Sequence, residues 1–328
     1  MNSKIGRAMS AGLWLSATLS LLAGCGGSQT TSTLAMMPQT PAGSASGSRR
    51  GSWMAPDAKH QDLLYISDLA TSDVYVYAYR SGALEGTLTG FSAPHGECVD
   101  AAGDVFITNT NAASVLEYAH GGSSPIATIQ DPNQSPAGCS IDPTTGTLAV
   151  TSVGGTQGSS PGNVAVYKNA KGAPKIYSNA SFYSYVKCTF DATGNLFVDG
   201  TAHTGNFEFA ELPAGGKTLG TVTLSQSIQI AGAVQWDGKH VAVEDQGVAS
   251  QGSTIYRFAI SAGNGRKVGT ASLGGSTDVI QPWINGMTVV GGDATGAIFY
   301  WHYPAGGAAY KTMPGVAAPV GATVSVGS

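Results

Sequence analysis

Charge is what this sequence has least of: only 11% of its 328 residues are Asp, Glu, Lys or Arg. No basic cluster stands out, which argues against a nucleic-acid partner, since such partners need basic patches. The formal net charge is −4; without Lys4 and Arg7, which lie in an acid-free leader, 14 bases face 20 acids, giving −6. Long Leu, Ala, Glu and Lys stretches of helical period are missing, so helix has little place. Cysteine is sparse at four, with no CxxC. His60, His95, His120, His203, His240 and His302 show no paired metal-ligand spacing, which argues against zinc. Glycine, by contrast, is abundant: 46 residues, about twice the usual frequency of roughly 7%. The apolar runs are short and rich in Val, Ile, Tyr and Phe, the pattern of a turn-rich, all-β chain. Its length places no limit on building a core.

The chain begins MNSKIGRAMSAGLWLSATLSLLAGCGGS. Lys4 and Arg7 precede an apolar run, 8–24, interrupted by Ser10, Ser16, Thr18 and Ser20. That run is too short and too hydroxylated for a membrane span of about 20 residues and reads as the core of a signal peptide over 1–24. Leu22, Ala23, Gly24 and Cys25 resemble the lipobox of bacterial lipoproteins. The resemblance implies cleavage before Cys25, diacylation of its thiol and acylation of the new amino group, hence stable membrane attachment through more than one chain. It implies a place in the bacterial cell envelope. In a Gram-negative cell, Gly26 after the cysteine is similar to lipoproteins sorted to the outer membrane, on its periplasmic face. Residues 25–60, rich in Gly, Ser, Thr and Pro as in TPAGSASGSRRGS, read as a flexible tether.

The remainder, 61–328, repeats. PHGECVDAAGDVFITN from Pro94 returns as PAGCSIDPTTGTLAVTS from Pro136, YVKCTFDATGNLFVDG from Tyr185, IAGAVQWDGKHVAVED from Ile230 and IQPWINGMTVVGGD from Ile280. The anchors Gly96, Gly138, Lys187, Gly232 and Pro282 are 42, 49, 45 and 50 residues apart, the period of propeller blades of roughly 40–50 residues. Each unit carries an inner strand, a Gly-containing turn, a second strand such as VFIT or LAVT, and an alternating third strand such as SVLEYA; a fourth strand is the weakest. The first unit has LLYISD and VYVYAY but no inner strand, whereas PVGATVSV from Pro319 to Val326 repeats the inner-strand pattern alone. These two halves make one blade, so the expected fold is a six-bladed β-propeller closed by the C-terminal strand, with no free sheet edge at the seam.

The pattern Pro, x, Gly, x, x, Val, Asp, then Gly, x, Val, Phe, Ile, Thr, Asn resembles the NHL repeats and related YVTN repeats of bacterial propellers. The resemblance covers about residues 61–328 and implies a fold rather than a function, because such propellers host binding modules, lactonases and lyases alike. The reading adopted is a lipid-anchored module that binds a small molecule or protein without catalysis. The alternative is a metal-dependent hydrolase, lactonase or lyase using one propeller face.

Register sorts the candidate residues. Glu97 aligns with Cys139, Cys188, Ala233 and Ala322, a position otherwise small or apolar, and is a candidate for lining the central channel, where a carboxyl would have a perturbed pKa. Asp100 aligns with Asp142 and Asp191 at a turn, a structural place; His95 reads as a loop histidine. Asp199, Glu244, Asp245 and Asp293 end successive second strands and form the second ligand-binding candidate, whose oxygens suit Ca²⁺ if any cofactor is held; turn capping is the favoured explanation of them. The GSSPG stretch, 158–162, lacks the strand–turn–helix context of a nucleophile elbow. Cys98 lies one position from the register of Cys139 and Cys188, on the opposite strand face, so Cys98 and Cys139 can face each other across an interface. The reading adopted is nevertheless three buried free thiols acting as small apolar groups.

Overall fold

The computed structural model describes residues 51–156, 160–247 and 252–327. The leader, Cys25, the tether up to residue 50 and the first two residues of GSSPG lie outside them.

The second strands show most directly how the sequence builds the fold. Leu63–Asp68 and Val105–Asn109 are buried at every position, because each second strand lies between an inner and a third strand and has a neighbouring blade on both faces. That is why VFIT, LAVT and LFVD are nearly continuous apolar runs and not alternating ones. The turn before each is set by an aspartate: Asp100 Oδ1 accepts the amides of Ala102 and Asp104 at 2.9 Å, and Asp191 Oδ1 accepts those of Thr193 and Asn195. Gly103 and Gly194 complete these turns at φ 87° and 84°, in the left-handed region.

Six antiparallel sheets result, the blades of a six-bladed β-propeller. From the inside outward, blade 2 comprises Pro94–Val99, Val105–Asn109, Ser114–Tyr118 and Pro125–Gln130. Blade 3 follows with Gln134–Ile141, Leu148–Gly155, Val164–Tyr167 and Lys175–Tyr177, and blade 4 with Ser184–Phe190, Leu196–Thr201, Phe207–Leu212 and Gly220–Thr221. Blade 5 has Ala231–Trp236, Val241–Asp245, Thr254–Ser261 and Asn264–Gly274; blade 6 has Trp283–Asn285, Thr288–Gly292, Ala297–His302 and Lys311–Pro314. Blade 1 is composite: Pro319–Ser325 is its inner strand, paired antiparallel to Leu63–Asp68 with Ala322 opposite Ile66. The expected closure is therefore present.

The core is distributed over the six seams between blades. Leu63, Tyr65 and Val76 meet Val105 and Ile107 at the 1/2 seam, and Val290, Ile298 and Tyr300 meet Leu64, Ile66 and Val324 at the 6/1 seam.

Three expectations need correction. Trp53–Met54 pairs with Leu84–Leu88 as a fifth strand of blade 1, and Ala58 is fully buried, so the domain begins inside the stretch read as tether. The fourth strand of blade 5 is not weak but the longest strand described, at 11 residues. Cys98 and Cys139 form a disulfide with Cα atoms 5.6 Å apart, leaving Cys188 as a buried free thiol. The register argument placed the pair face to face; the preference for three free thiols was wrong.

Candidate functional site

Near its start each inner strand carries a bulge. Residues 95–96 oppose Thr108 alone, 186–187 oppose Asp199, and 232–233 oppose Glu244. A bulge removes backbone groups from the ladder, and the opposing side chain supplies the replacement: Asp199 Oδ1 accepts the Lys187 amide at 2.7 Å, and Glu244 Oε2 accepts the Ala233 amide at 2.9 Å. Polar residues thus recur near the end of the second strands because the bulges need partners. Blade 5 is shifted by one against the sequence alignment: Val234, not Ala233, takes the place of Glu97, Cys139 and Cys188.

Four bulge positions around the axis are small: Gly321, Gly96, Gly138 and Ala233. The other two carry Lys187 and Gln281, which fill the space the small residues leave. A Cβ on Gly96 would strike the Ala137 carbonyl and come within 2.9 Å of Lys187 Nζ. Lys187, 2% exposed, donates from Nζ to Ala137 O at 2.6 Å and Gln281 Oε1 at 3.0 Å, and meets His95 Nδ1 at 3.2 Å. All three of its protons are used when His95 carries its own proton on Nε2. The Gln281 amide grips Glu97 from across the ring, donating to its carbonyl at 2.8 Å and accepting its amide at 3.3 Å. Gln281 holds a left-handed backbone, φ 49°, to reach it. His95 is thus part of the axial plug, not a loop residue.

Glu97, Asp199 and Glu244 surround this plug and are fully or almost fully buried. Glu97 Oε1 accepts from Ser67 Oγ of blade 1 at 2.6 Å. One oxygen of each carboxyl, Glu97 Oε2, Asp199 Oδ2 and Glu244 Oε1, has no protein partner. Burial pushes Glu97 up to about 8 against the opposing pull of Ser67 and Lys187. Burial likewise carries Asp199 to about 8 and Glu244 well above its usual range. The same desolvation lowers Lys187 to about 8, although the carboxyls oppose it, and lowers His95 to about 3, with Lys187 adding to the effect.

On one side of the plug lies a cavity of about 200 Å³. Glu97, Lys187, Thr189 and Gln281 are its buried polar members, and half-buried Trp236 and Trp283 line it with Phe190. Thr189 and the other polar groups of its wall are already engaged in a belt joining successive inner strands. Cys98 is bonded to Cys139, Ser140 Oγ accepts the Phe190 amide and Thr189 Oγ1 accepts the Trp236 amide, both at 3.0 Å. Gln235 closes the series, its Nε2 donating to Ile284 O at 2.9 Å and its Oε1 accepting the Ile284 amide at 2.7 Å. Among the side chains lining the cavity, Glu97 is the one with a buried oxygen that has no protein partner.

Of the five candidate residues, the structure brings Glu97, Asp199 and Glu244 into one electrostatically coupled group around Lys187. It does not bring Asp245 or Asp293 there. Asp245 accepts the amides of Gln229, Ile230 and Gly247, and Asp293 those of Thr277, Asp278 and Thr295. Both hold loops between blades. Among the described residues no group of three or more His, Cys, Asp or Glu side chains is arranged to hold a metal ion, and the buried cation that interacts electrostatically with all three carboxyls is the Lys187 ammonium. The geometry does not favour the hydrolase reading. Sequence reasoning missed Lys187, Gln281, Trp236 and Trp283. Lys187 had a signal, a long cation aligned with Gly96 and Gly138.

No protein-family model matches the chain, and no curated protein matches it either. Its likeness is to solved structures. A propeller chain from "Crystal structure of Nidogen/Laminin Complex" superposes with a TM-score of 0.63 at 13% identity, over 81% of this chain and 99% of that one. A functionally unknown protein from Desulfotomaculum acetoxidans DSM 771 gives 0.56 at 11% identity, over 82% and 100%. At such identities the likeness shows the fold, a six-bladed propeller that fits a binding or interaction module.

Proposed function

We propose that this chain is an exported, lipid-anchored propeller of the bacterial cell envelope that holds a small polar ligand in its axial cavity. The observation that carries the binding reading is a cavity lined by Glu97, whose Oε2 is buried without a protein partner, and walled by Trp236, Trp283 and Phe190. Few polar groups placed in a mostly apolar concavity are the usual form of a small-molecule site. The lipobox-like leader supports export and anchoring, and a structural disulfide suits an oxidising compartment. Beside a buried ammonium and a carboxyl with its pKa near neutrality, a ligand of no net charge offering both donors and acceptors fits best. Native mass spectrometry of the protein isolated gently from its own envelope tests this. A noncovalent adduct is expected on the wild type and absent from Glu97→Ala and Trp283→Ala variants of unchanged thermal midpoint. Bare protein, or an adduct that both variants retain, overturns the assignment.

A further inference from the structure

We propose that blade 5 carries a phosphate-binding site, built on Arg257 and His240 beside the turn between its first two strands and separate from the axial cavity. The domain from residue 51 onward holds all 20 acids of the chain but only 12 of its 16 bases, a net charge of −8. Against that background His240 stands within the field of Lys239, Arg257 and Arg266 together. The fold does not require these cations. The corresponding turns of blades 2, 3 and 4, Asp100–Asp104, Asp142–Thr147 and Asp191–Asn195, carry none. The place of Arg257 in the third strand is held by Glu117 in blade 2 and by Glu211 in blade 4, so blade 5 reverses the charge there.

Arg257 is fixed in place. Its Nε donates to Asp237 Oδ2 at 2.6 Å, its Nη2 donates to His240 Nδ1 at 3.1 Å, and its guanidinium carbon lies 5.5 Å from the centre of the Tyr303 ring of blade 6. Asp237 is itself satisfied on both oxygens. Oδ1 accepts the amides of Lys239 and His240 at 3.0 and 2.7 Å, and Oδ2 accepts the Tyr303 hydroxyl at 2.7 Å besides Arg257. A guanidinium can only donate, so His240 Nδ1 is an acceptor and the ring carries its proton on Nε2. Of the five guanidinium N–H groups, one serves Asp237, one His240, and one interacts with the Tyr303 hydroxyl. The others, with the Nε2–H of His240, have no protein partner among the described residues, and the two side chains are 19% and 15% exposed. Gly269, opposite Arg257 on the fourth strand, adds no side chain to this flank; a Cβ there would come within 3.3 Å of Arg257 Cδ.

Charge and donor count select the occupant. Asp237 offsets Arg257, whereas Lys239 and Arg266 are exposed and have no ion-pair partner among the described residues, which leaves two positive charges beside His240 uncompensated. A carboxylate brings two oxygens and a single charge. A phosphate group brings three free oxygens and a charge of about −1.5 to −2 as a monoester, and guanidinium N–H groups are the donors best matched to it. A fixed guanidinium beside an imidazole N–H, with two further cations at hand, fits the phosphate. The same chemistry reaches the site from two sources. One is a lipid headgroup, if the chain is membrane-anchored as proposed above; the other is a soluble phosphomonoester. The site itself rests on neither that anchor nor the axial ligand.

Calorimetric titration of the full chain in a neutral detergent, at constant ionic strength, reads the site. Inorganic phosphate should bind saturably, and the double variant Lys239→Ala, His240→Ala should weaken it by about tenfold or more. The double variant Lys168→Ala, Lys171→Ala removes two exposed lysines from blade 3 and should leave the affinity within about twofold. Arg257 stays in every variant, because without it Asp237 would be a buried carboxylate with no cation. Thermal midpoints confirm the fold of each. Repeating the titration with glycerol phosphate and with dihexanoyl phosphatidylglycerol separates the sources: tighter binding of the lipid assigns a headgroup, and tighter binding of the soluble ester assigns a free phosphomonoester. Absence of saturable phosphate binding, or equal weakening in the two double variants, overturns the proposal.

Discussion

At Lys187 and Glu97 a single residue identity decides whether the propeller axis is empty or filled. Four small residues open the space, two long ones fill it, and the carboxyls around them are held near or above neutrality by desolvation. A carboxyl whose pKa rises on folding stabilises the fold while protonated, and that stabilisation is lost as pH climbs from the unfolded to the folded value. For Glu97 and Asp199 the window runs from their ordinary values of 4.5 and 3.8 to about 8. His95, lowered from 6.5, acts in the opposite sense below 6.5, and Lys187, lowered from 10.5, does so above about 8. Between pH 6.5 and 8 the carboxyls therefore prevail, and the thermal midpoint should fall with rising pH. Glu97→Gln keeps an acceptor for Ser67 Oγ and removes the titration. Its stability relative to wild type should grow by about 2 kcal/mol across that window, at about 1.4 kcal/mol per pH unit. Parallel midpoints for the two proteins from pH 6.5 to 8 would show that Glu97 titrates normally. Glu97 was legible in the sequence as the one acid in an apolar register. Gln281 was not, because blade 6 carries its bulge one place earlier than Pro282, the residue that aligned best.

Elements were more legible than contacts. The strand order, the composite first blade and the structural role of Asp100 follow from register and turn chemistry, which are local or periodic. The bulges are not legible, since one extra residue leaves the apolar period intact on either side and moves only the facing partners, as with Val234 and Ala233. The disulfide lies between these cases: strand faces placed Cys98 and Cys139 opposite each other, and only the distance between blades could decide on a bond. It is the covalent member of the belt that Ser140, Thr189 and Gln235 continue by hydrogen bonds. Cross-linking residues separated by 41 positions is worth about 4 kcal/mol in the chain-entropy treatment, and about 2–4 in practice. The double variant Cys98→Ala, Cys139→Ala should lose that much in denaturant unfolding, and reductant should lower the wild type to the same curve while leaving the variant unmoved. A wild-type curve indifferent to reductant would mean that the bond does not constrain the unfolded chain.

At the scale of the propeller, the described residues form a ring that closes within blade 1, so its cooperativity rests on Pro319–Ser325 more than on any other strand of similar length. All seven residues of that strand are buried. Val324 and Ala322 pack in the 6/1 seam, and Asp68 accepts the amides of Ala317 and Ala318 just before the strand. His120 of blade 2 ties the end down, its ring meeting Ser325 Oγ at 2.6 Å and Gln61 O at 3.0 Å, while Ser325 Oγ donates to Gly103 O at 2.6 Å. Removing Pro319–Ser328 therefore does more than delete ten residues. It exposes the apolar edge of Leu63–Asp68, strips one wall from the 6/1 seam and leaves blade 1 attached to the ring by one side alone. A terminal strand of ordinary importance would shift the midpoint by about 2–4 °C for each kcal/mol lost. Here the expected outcome is loss of the single cooperative transition, with blade 1 unfolding below the other five or the truncated chain aggregating through its open edge. Thermal unfolding followed by near-UV circular dichroism, with light scattering alongside, reads both. One sharp transition within a few degrees of the intact domain, without scattering, would show that the ring does not depend on this closure.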